Sequence, residues 1–146
     1  MIHPTSIVDN NSKISESVEI GPYCVIGPEV EIGSGTKLHS HVSIVGKTKI
    51  GSNNEIFPFV SIGTKPQDLK YKGEKNSIII GNNNKFREYV NINPGTTLGG
   101  TITILGNNNL LMVYTHVAHD CNLGSNIVLA NNVQVGGHVT IEDSAI

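Results

Sequence analysis

The stretch Ile14-Ser15-Glu16-Ser17-Val18-Glu19-Ile20-Gly21-Pro22-Tyr23-Cys24-Val25-Ile26-Gly27-Pro28-Glu29-Val30-Glu31-Ile32 repeats with a period of six. An aliphatic opens each hexad, Gly often follows it, and a small or β-branched residue comes four places on. Extended outward, the ladder reads Ile2, Val8, Ile14, Ile20, Ile26, Ile32, Leu38, Ile44, Ile50, Ile56 and Ile62 without a miss. With Ile, Val and Leu at roughly a quarter to a third of the chain, chance would give such a run about once in a million trials. The ladder resumes at Ile80, Phe86, Ile92 and Leu98. It then slips by one position and continues through Leu105, Leu111, Val117, Leu123, Leu129, Val135 and Ile141.

Period six fits neither the 3.6 of a helix nor the 2 of a long strand. It fits a triangular coil of three short strands, about 18 residues per turn, with one aliphatic pointing inward on each side. This is the hexapeptide repeat of a parallel β-helix, so the expected fold is all-β. The corners need left-handed backbone, which Asn and Gly supply in Gly51-Ser52-Asn53-Asn54, Gly81-Asn82-Asn83-Asn84 and Gly106-Asn107-Asn108-Asn109. Coils lie one strand spacing apart, so residue i stacks on i+18 unless a loop intervenes.

Composition limits the function. The chain has 146 residues, a net charge of −2, 15% charged residues, 5% aromatics and no Trp. No block of Lys or Arg offers a phosphate-binding patch, which argues against nucleic acid as a partner. No apolar run approaches the roughly 18 residues of a membrane helix. Met1-Ile2-His3-Pro4-Thr5 is unlike a secretory signal. Cys24 and Cys121 read as reduced core thiols of a cytoplasmic protein.

Two segments break the ladder. Residues 64–78 form an extruded loop, since Ile62 and Ile80 bracket them and the phase is kept. Gly99-Gly100-Thr101 reads as a one-residue bulge at a corner. His39 and His41 alternate with the inward ladder and are expected to face solvent or a neighbouring subunit. The most informative segment is Thr115-His116-Val117-Ala118-His119-Asp120-Cys121. Val117 and Cys121 point inward, so His119 and Asp120 fall at a corner and face outward. Stacking places His119 against Gly137 and Asp120 against His138. Acyl transfer needs such parts: an imidazole base, a carboxylate to orient it, and a backbone N–H for the oxyanion. Structural surface histidines are the plain alternative. A His-based metal site is another, but His116, His119 and His138 do not have the spacing of the zinc-binding gamma carbonic anhydrases, and no metal is expected.

Gln67-Asp68-Leu69-Lys70-Tyr71, Asn109-Leu110-Leu111-Met112, Ala118-His119-Asp120-Cys121 and Leu129-Ala130-Asn131-Asn132 through Gly137-His138-Val139 resemble the acyl-(acyl carrier protein)–UDP-N-acetylglucosamine O-acyltransferases. These are left-handed β-helix enzymes of lipid A biosynthesis, and the resemblance runs from Ile2 to Ile146. It implies a left-handed coil and transfer of a (3R)-hydroxyacyl group to the 3-hydroxyl of UDP-N-acetylglucosamine. It implies His119 as general base, Asp120 as its orienting partner and the Gly137 N–H at the oxyanion. Gln67, Asp68, Lys70, His116 and His138 would contact substrate. The implied partners are acyl carrier protein, UDP-N-acetylglucosamine and two further copies of the chain in a homotrimer. No diffusible cofactor is implied, because the phosphopantetheine arrives on the carrier protein.

Asn93-Pro94 stand where the family commonly has His-Arg before Gly95-Thr96. The family continues for several coils and a C-terminal helical domain, whereas the ladder here stops in mid-hexad at Ile146. The expectation is therefore one domain, residues 1–146, truncated and weak in binding the sugar nucleotide. Two other readings remain: a nucleotide-sugar N- or O-acyltransferase using another donor, and an inactive trimerising β-helix.

Overall fold

The computed structural model describes residues 1–146 and is a left-handed parallel β-helix. Its strands form three parallel sheets, two of seven strands and one of six. Most strands are only two residues long, one facing inward and one outward. The first face carries Ile7–Val8, Val25–Ile26, Ser43–Ile44, Ser61–Ile62, Asn91–Ile92, His116–Val117 and Gln134–Val135. The second runs from Lys13–Ile14 to Thr140–Ile141, the third from Glu19–Ile20 to Val128–Leu129.

The inward residues are the aliphatic ladder read from the sequence. Ile44, Ile56, Ile62, Phe86, Ile92, Leu111 and Val117 are all fully buried. The second inward position of each hexad adds Val18, Cys24, Val30, Val42, Val60 and Val90, giving one continuous core. In register, Ile26 pairs with Ile44 and Ile44 with Ile62, each step being three hexads of the ladder. Each core side chain therefore touches its equivalents above and below.

The three corners differ in chemistry. One is built on Asn53, Asn83, Asn108 and Asn126, all with φ of 56–58°. At this corner the next residue, Asn54, Asn84 or Asn109, turns inward and is buried. Its amide stays satisfied. Asn54 Oδ1 accepts from the Asn84 N–H and Nδ2 at 2.9 and 3.0 Å, and Asn84 Oδ1 accepts from the Asn109 N–H at 2.9 Å. A second corner stacks Tyr23, His41, Phe59, Tyr89 and Tyr114 with ring centroids 4.8–5.1 Å apart. His41 is thus exposed but held in a column of rings. His39 is half-buried against Phe57 at 4.7 Å, and its Nε2 lies 2.9 Å from Glu55. Cys24 and Cys121 are free and buried, as expected. Burial raises both thiol pKa values, and their Sγ atoms donate to the His39 and Gly136 carbonyls at 3.1 Å.

The third corner joins the first face to the second, and both interruptions occur there. An unbroken coil would pair Ile62 with Ile80. It pairs with Ile92 instead, so two whole hexads leave the coil. They end before Ser77, because Ser77–Ile80 is already strand and Ile78 is buried. The loop expected over 64–78 is therefore shorter at its C-terminal end. In the next coil, an unbroken ladder would pair Ile92 with Leu110. It pairs with Val117 instead, so one hexad and one further position leave the coil. The expected one-residue bulge is thus a longer excursion with a 3₁₀ turn at Thr97–Gly99, and Leu98 is 73% exposed instead of inward. The reason is arithmetic. Two whole hexads leave no phase error, while a hexad plus one shows only as a slip of one.

Candidate active site

The two loops leave the same corner in consecutive coils, and the coil that follows carries His119 and Asp120 there. Asp120 has φ of 63° and His138, one coil on, has φ of 62°. The left-handed corner aims both side chains along the outside of the coil. Stacking holds as expected. The His138 N–H donates to the His119 carbonyl at 3.0 Å, and the two rings meet edge to face at 5.0 Å. A Cβ at Gly137 would fall 2.5 Å from His119 Cε1, so only glycine leaves the ring its place. The Gly137 N–H has no acceptor within the protein.

Asp120 corrects one expectation. It does leave the coil outward, but its side chain is wholly buried, because the 93–101 excursion covers it. Asp120 Oδ1 accepts from the Thr96 N–H at 2.7 Å. Oδ2 accepts from the Thr96 hydroxyl and lies 2.8 Å from His119 Nδ1 and 3.6 Å from His138 Nε2. Burial is the strongest single influence and would raise its pKa. The Thr96 hydroxyl and N–H, then His119 and His138, together outweigh it and hold the carboxyl below its ordinary value. An ionised Asp120 only accepts, so Nδ1 of His119 carries the ring proton and Nε2 of the neutral ring is a free base.

On its other side, His119 Nε2 lies 4.0 Å from Asp68 Oδ2 in the extruded loop. Asp68 caps its own turn by accepting the Lys70 N–H at 3.0 Å. Lys70 is exposed, without an ion-pair partner, and stands with Asp68, Lys72, Glu74, Thr97 and Leu98 around an open cleft of about 450 Å³. Gln67 is on this loop too, but it is exposed and does not line the cleft. His116 sits on the first face, its Nδ1 2.8 Å from Asn91 Oδ1. Its pKa is lowered, chiefly by burial, with Asn91 acting the other way and the charge of His119 adding to the fall. Ligand atoms of His119, Asp120 and His138 lie within 4.8 Å of one another. Asp120 Oδ2 is already shared by a hydroxyl and an imidazole, which suits an oriented base better than a cation.

Thr96 and Glu74 were not legible as site residues. Thr96 is 2% exposed and holds Asp120. Glu74 accepts from the Lys72 N–H at 2.8 Å and from the N–H and hydroxyl of Thr97, both at 3.0 Å, and so ties the two loops together. The Thr97 and Lys72 amides lower the Glu74 pKa to about 2. A carboxyl depressed in the fold adds stability above its ordinary value near 4.5 and loses it as pH falls toward 2. In an NMR titration the Thr97 and Lys72 amide shifts should move with a midpoint near 2. A midpoint at the ordinary value would mean that the tie is not made.

With this geometry in place, similarity to known proteins is informative. Residues 11–46 match the model described as bacterial transferase hexapeptide (six repeats). Along 144 residues, 99% of the chain, it is 49% identical to the acyl-[acyl-carrier-protein]–UDP-N-acetylglucosamine O-acyltransferase of Thermodesulfovibrio yellowstonii, of which it covers 56%. The chain is similar to this acyltransferase along nearly its whole length. Solved structures agree. LpxA from Acinetobacter baumannii superposes with a TM-score of 0.96 at 56% identity, covering 97% of this chain and 55% of that one. The UDP-N-acetylglucosamine acyltransferase of Francisella novicida gives 0.96 at 47% identity, covering 98% of this chain and 52% of that one. The chain spans about half the length of the relatives it matches.

Proposed function

We propose that the protein carrying this chain transfers a (3R)-hydroxyacyl group from acyl carrier protein to the 3-hydroxyl of UDP-N-acetylglucosamine, the first step of lipid A biosynthesis. The observation that supports it most is the buried Asp120, its carboxyl held below its ordinary pKa, set on Nδ1 of His119, which leaves Nε2 free 4.0 Å from Asp68, a residue lining the open cleft. The relatives named above supply the substrate class.

In this reading His119 Nε2 takes the proton of the sugar 3-hydroxyl as its oxygen attacks the thioester carbonyl. Asp120 and Asp68, on opposite sides of the ring, stabilise the imidazolium that forms. The Gly137 N–H, unpaired within the protein, donates to the tetrahedral oxyanion. The carbon–sulfur bond then breaks, and the imidazolium protonates the departing phosphopantetheine thiolate. Lys70 offers a charge to phosphate. Gln67, His116 and His138 complete the substrate contacts, His116 as a neutral ring.

The working assembly is a homotrimer, and the place of work is the cytoplasm. The first face carries exposed Ile7 and Val25, the aromatic column along one edge and the His119 corner along the other. A neighbouring copy packed on it would close the open side of the cleft. No helix of the structure is long and apolar enough to cross a membrane. An alternative donor remains in play because Asn93, at the position where the family commonly has His, is buried with its Oδ1 unpaired, so this part of the site differs. A paired assay decides. With UDP-N-acetylglucosamine as acceptor, a (3R)-hydroxyacyl carrier protein should give the 3-O-acyl product by mass spectrometry and NMR, and acetyl-CoA should give none. The reverse would move the protein to another branch of hexapeptide acyltransferases.

A further inference from the structure

Adjacent residues of the 93–101 excursion hold two carboxylates from two different segments. Thr96 gives its N–H and hydroxyl to Asp120, and Thr97 gives its N–H and hydroxyl to Glu74. We propose that Thr96 is a positioning residue for the His119–Asp120 pair, acting through the carboxylate, and that the Glu74 tie keeps the turn carrying Thr96 closed over it. The inference rests on the reading of His119 as the base.

The turn is built for close approach. A Cβ at Gly99 would overlap the Asp120 carboxylate, and one at Gly95 would strike the Ile102 N–H and fall 2.8 Å from Asp120 Oδ1. Two glycines thus let the backbone lie directly on a buried anion, while the Thr between them supplies both donors. Asp120 Oδ2 is shared between the Thr96 hydroxyl and the His119 ring, so the hydroxyl limits how the carboxylate can rotate and how much of its charge reaches the imidazole. The Asp120 N–H is itself held, donating to Thr103 Oγ1 at 3.0 Å. On the far side of the ring, Asp68 belongs to the loop that Glu74 fastens. Both carboxylates that face His119 are therefore located by the Thr96–Thr97 pair.

The test uses the protein carrying this chain, with Thr96→Val, which removes only the hydroxyl, and Thr96→Ser, which restores it. The groups facing His119 are Asp68, Asp120, His138 and, through its charge, His116. In Thr96→Val one donor to Asp120 is gone, its charge falls more fully on the imidazole, and the imidazolium is favoured. The acidic limb of kcat/KM against pH should then move upward. The value of kcat should nonetheless fall roughly 10-fold, because the carboxylate that orients the ring loses the hydroxyl limiting its rotation, with KM nearly unchanged. Thr96→Ser should restore both. A ¹⁵N titration of His119 without substrate should show the same upward shift. An unmoved titration, or a loss of kcat that Ser does not restore, would overturn the proposal. Activity that survives His119→Ala would instead overturn the base assignment, and the substrate-free titration would still report on Thr96.

Discussion

His119→Ala should lower kcat for acyl transfer by roughly 10²–10⁴-fold while leaving the KM for the sugar nucleotide within a few-fold, the pattern of a lost general base. The magnitude follows from what the site retains. The Gly137 N–H stays free for an oxyanion and the cleft beside Asp68 stays open, so substrate still binds and only the proton acceptor is missing. The ring is only 16% exposed, but it lies outside the hydrophobic core of the coil, so the fold should survive. The measurement is initial-rate kinetics with hydroxyacyl carrier protein, accompanied by the circular dichroism and elution volume of the variant. His116→Ala serves as the comparison. Its ring is tied to Asn91 and makes no bond to Asp120, so its loss should fall mainly on binding. Activity of His119→Ala within threefold of the parent would remove His119 from the chemistry.

The legibility of the site followed the periodicity. Inward positions are fixed by burial, so every sixth position announced itself. The stacking rule brought His119, Asp120, Gly137 and His138 together correctly because no loop interrupts the coil between them. The left-handed backbone at Asn53, Asn83 and Asn108 was legible for the same local reason, since Asn tolerates it well. Tyr23, Phe59, Tyr89 and Tyr114 occupy the same conformation with bulky rings. There tertiary stacking decides, and no local rule predicts it. Loops are the other blind spot. A phase count sees insertions only modulo six, so an excursion of one hexad plus one read as a bulge and Leu98 read as core. Hidden with it were Thr96 over Asp120 and the tie from Thr97 to Glu74, which depend on where two excursions meet in space.

Ile44→Ala should destabilise the fold by about 2–5 kcal/mol, the usual cost of truncating a buried aliphatic. Ile44 is fully buried and pairs with Ile26 on one side and Ile62 on the other. A missing side chain there leaves a void that both neighbouring coils line. The strands around it are very short and fixed by parallel ladders, so the coil can relax little into the space. At roughly 2–4 °C per kcal/mol for a chain of this size, the melting temperature should fall by about 4–20 °C. Ile14→Ala is the discriminating control. Ile14 is only partly buried and has a paired neighbour on one side alone, Ile32. In a solenoid, stability is approximately a sum over adjacent repeats, so a residue missing one neighbour should cost roughly half as much or less. Both variants are to be melted at one protein concentration, because association of folded chains raises the melting point. Equal losses at the two positions would contradict the nearest-neighbour picture of this coil, in which each inward side chain is stabilised by its equivalents above and below.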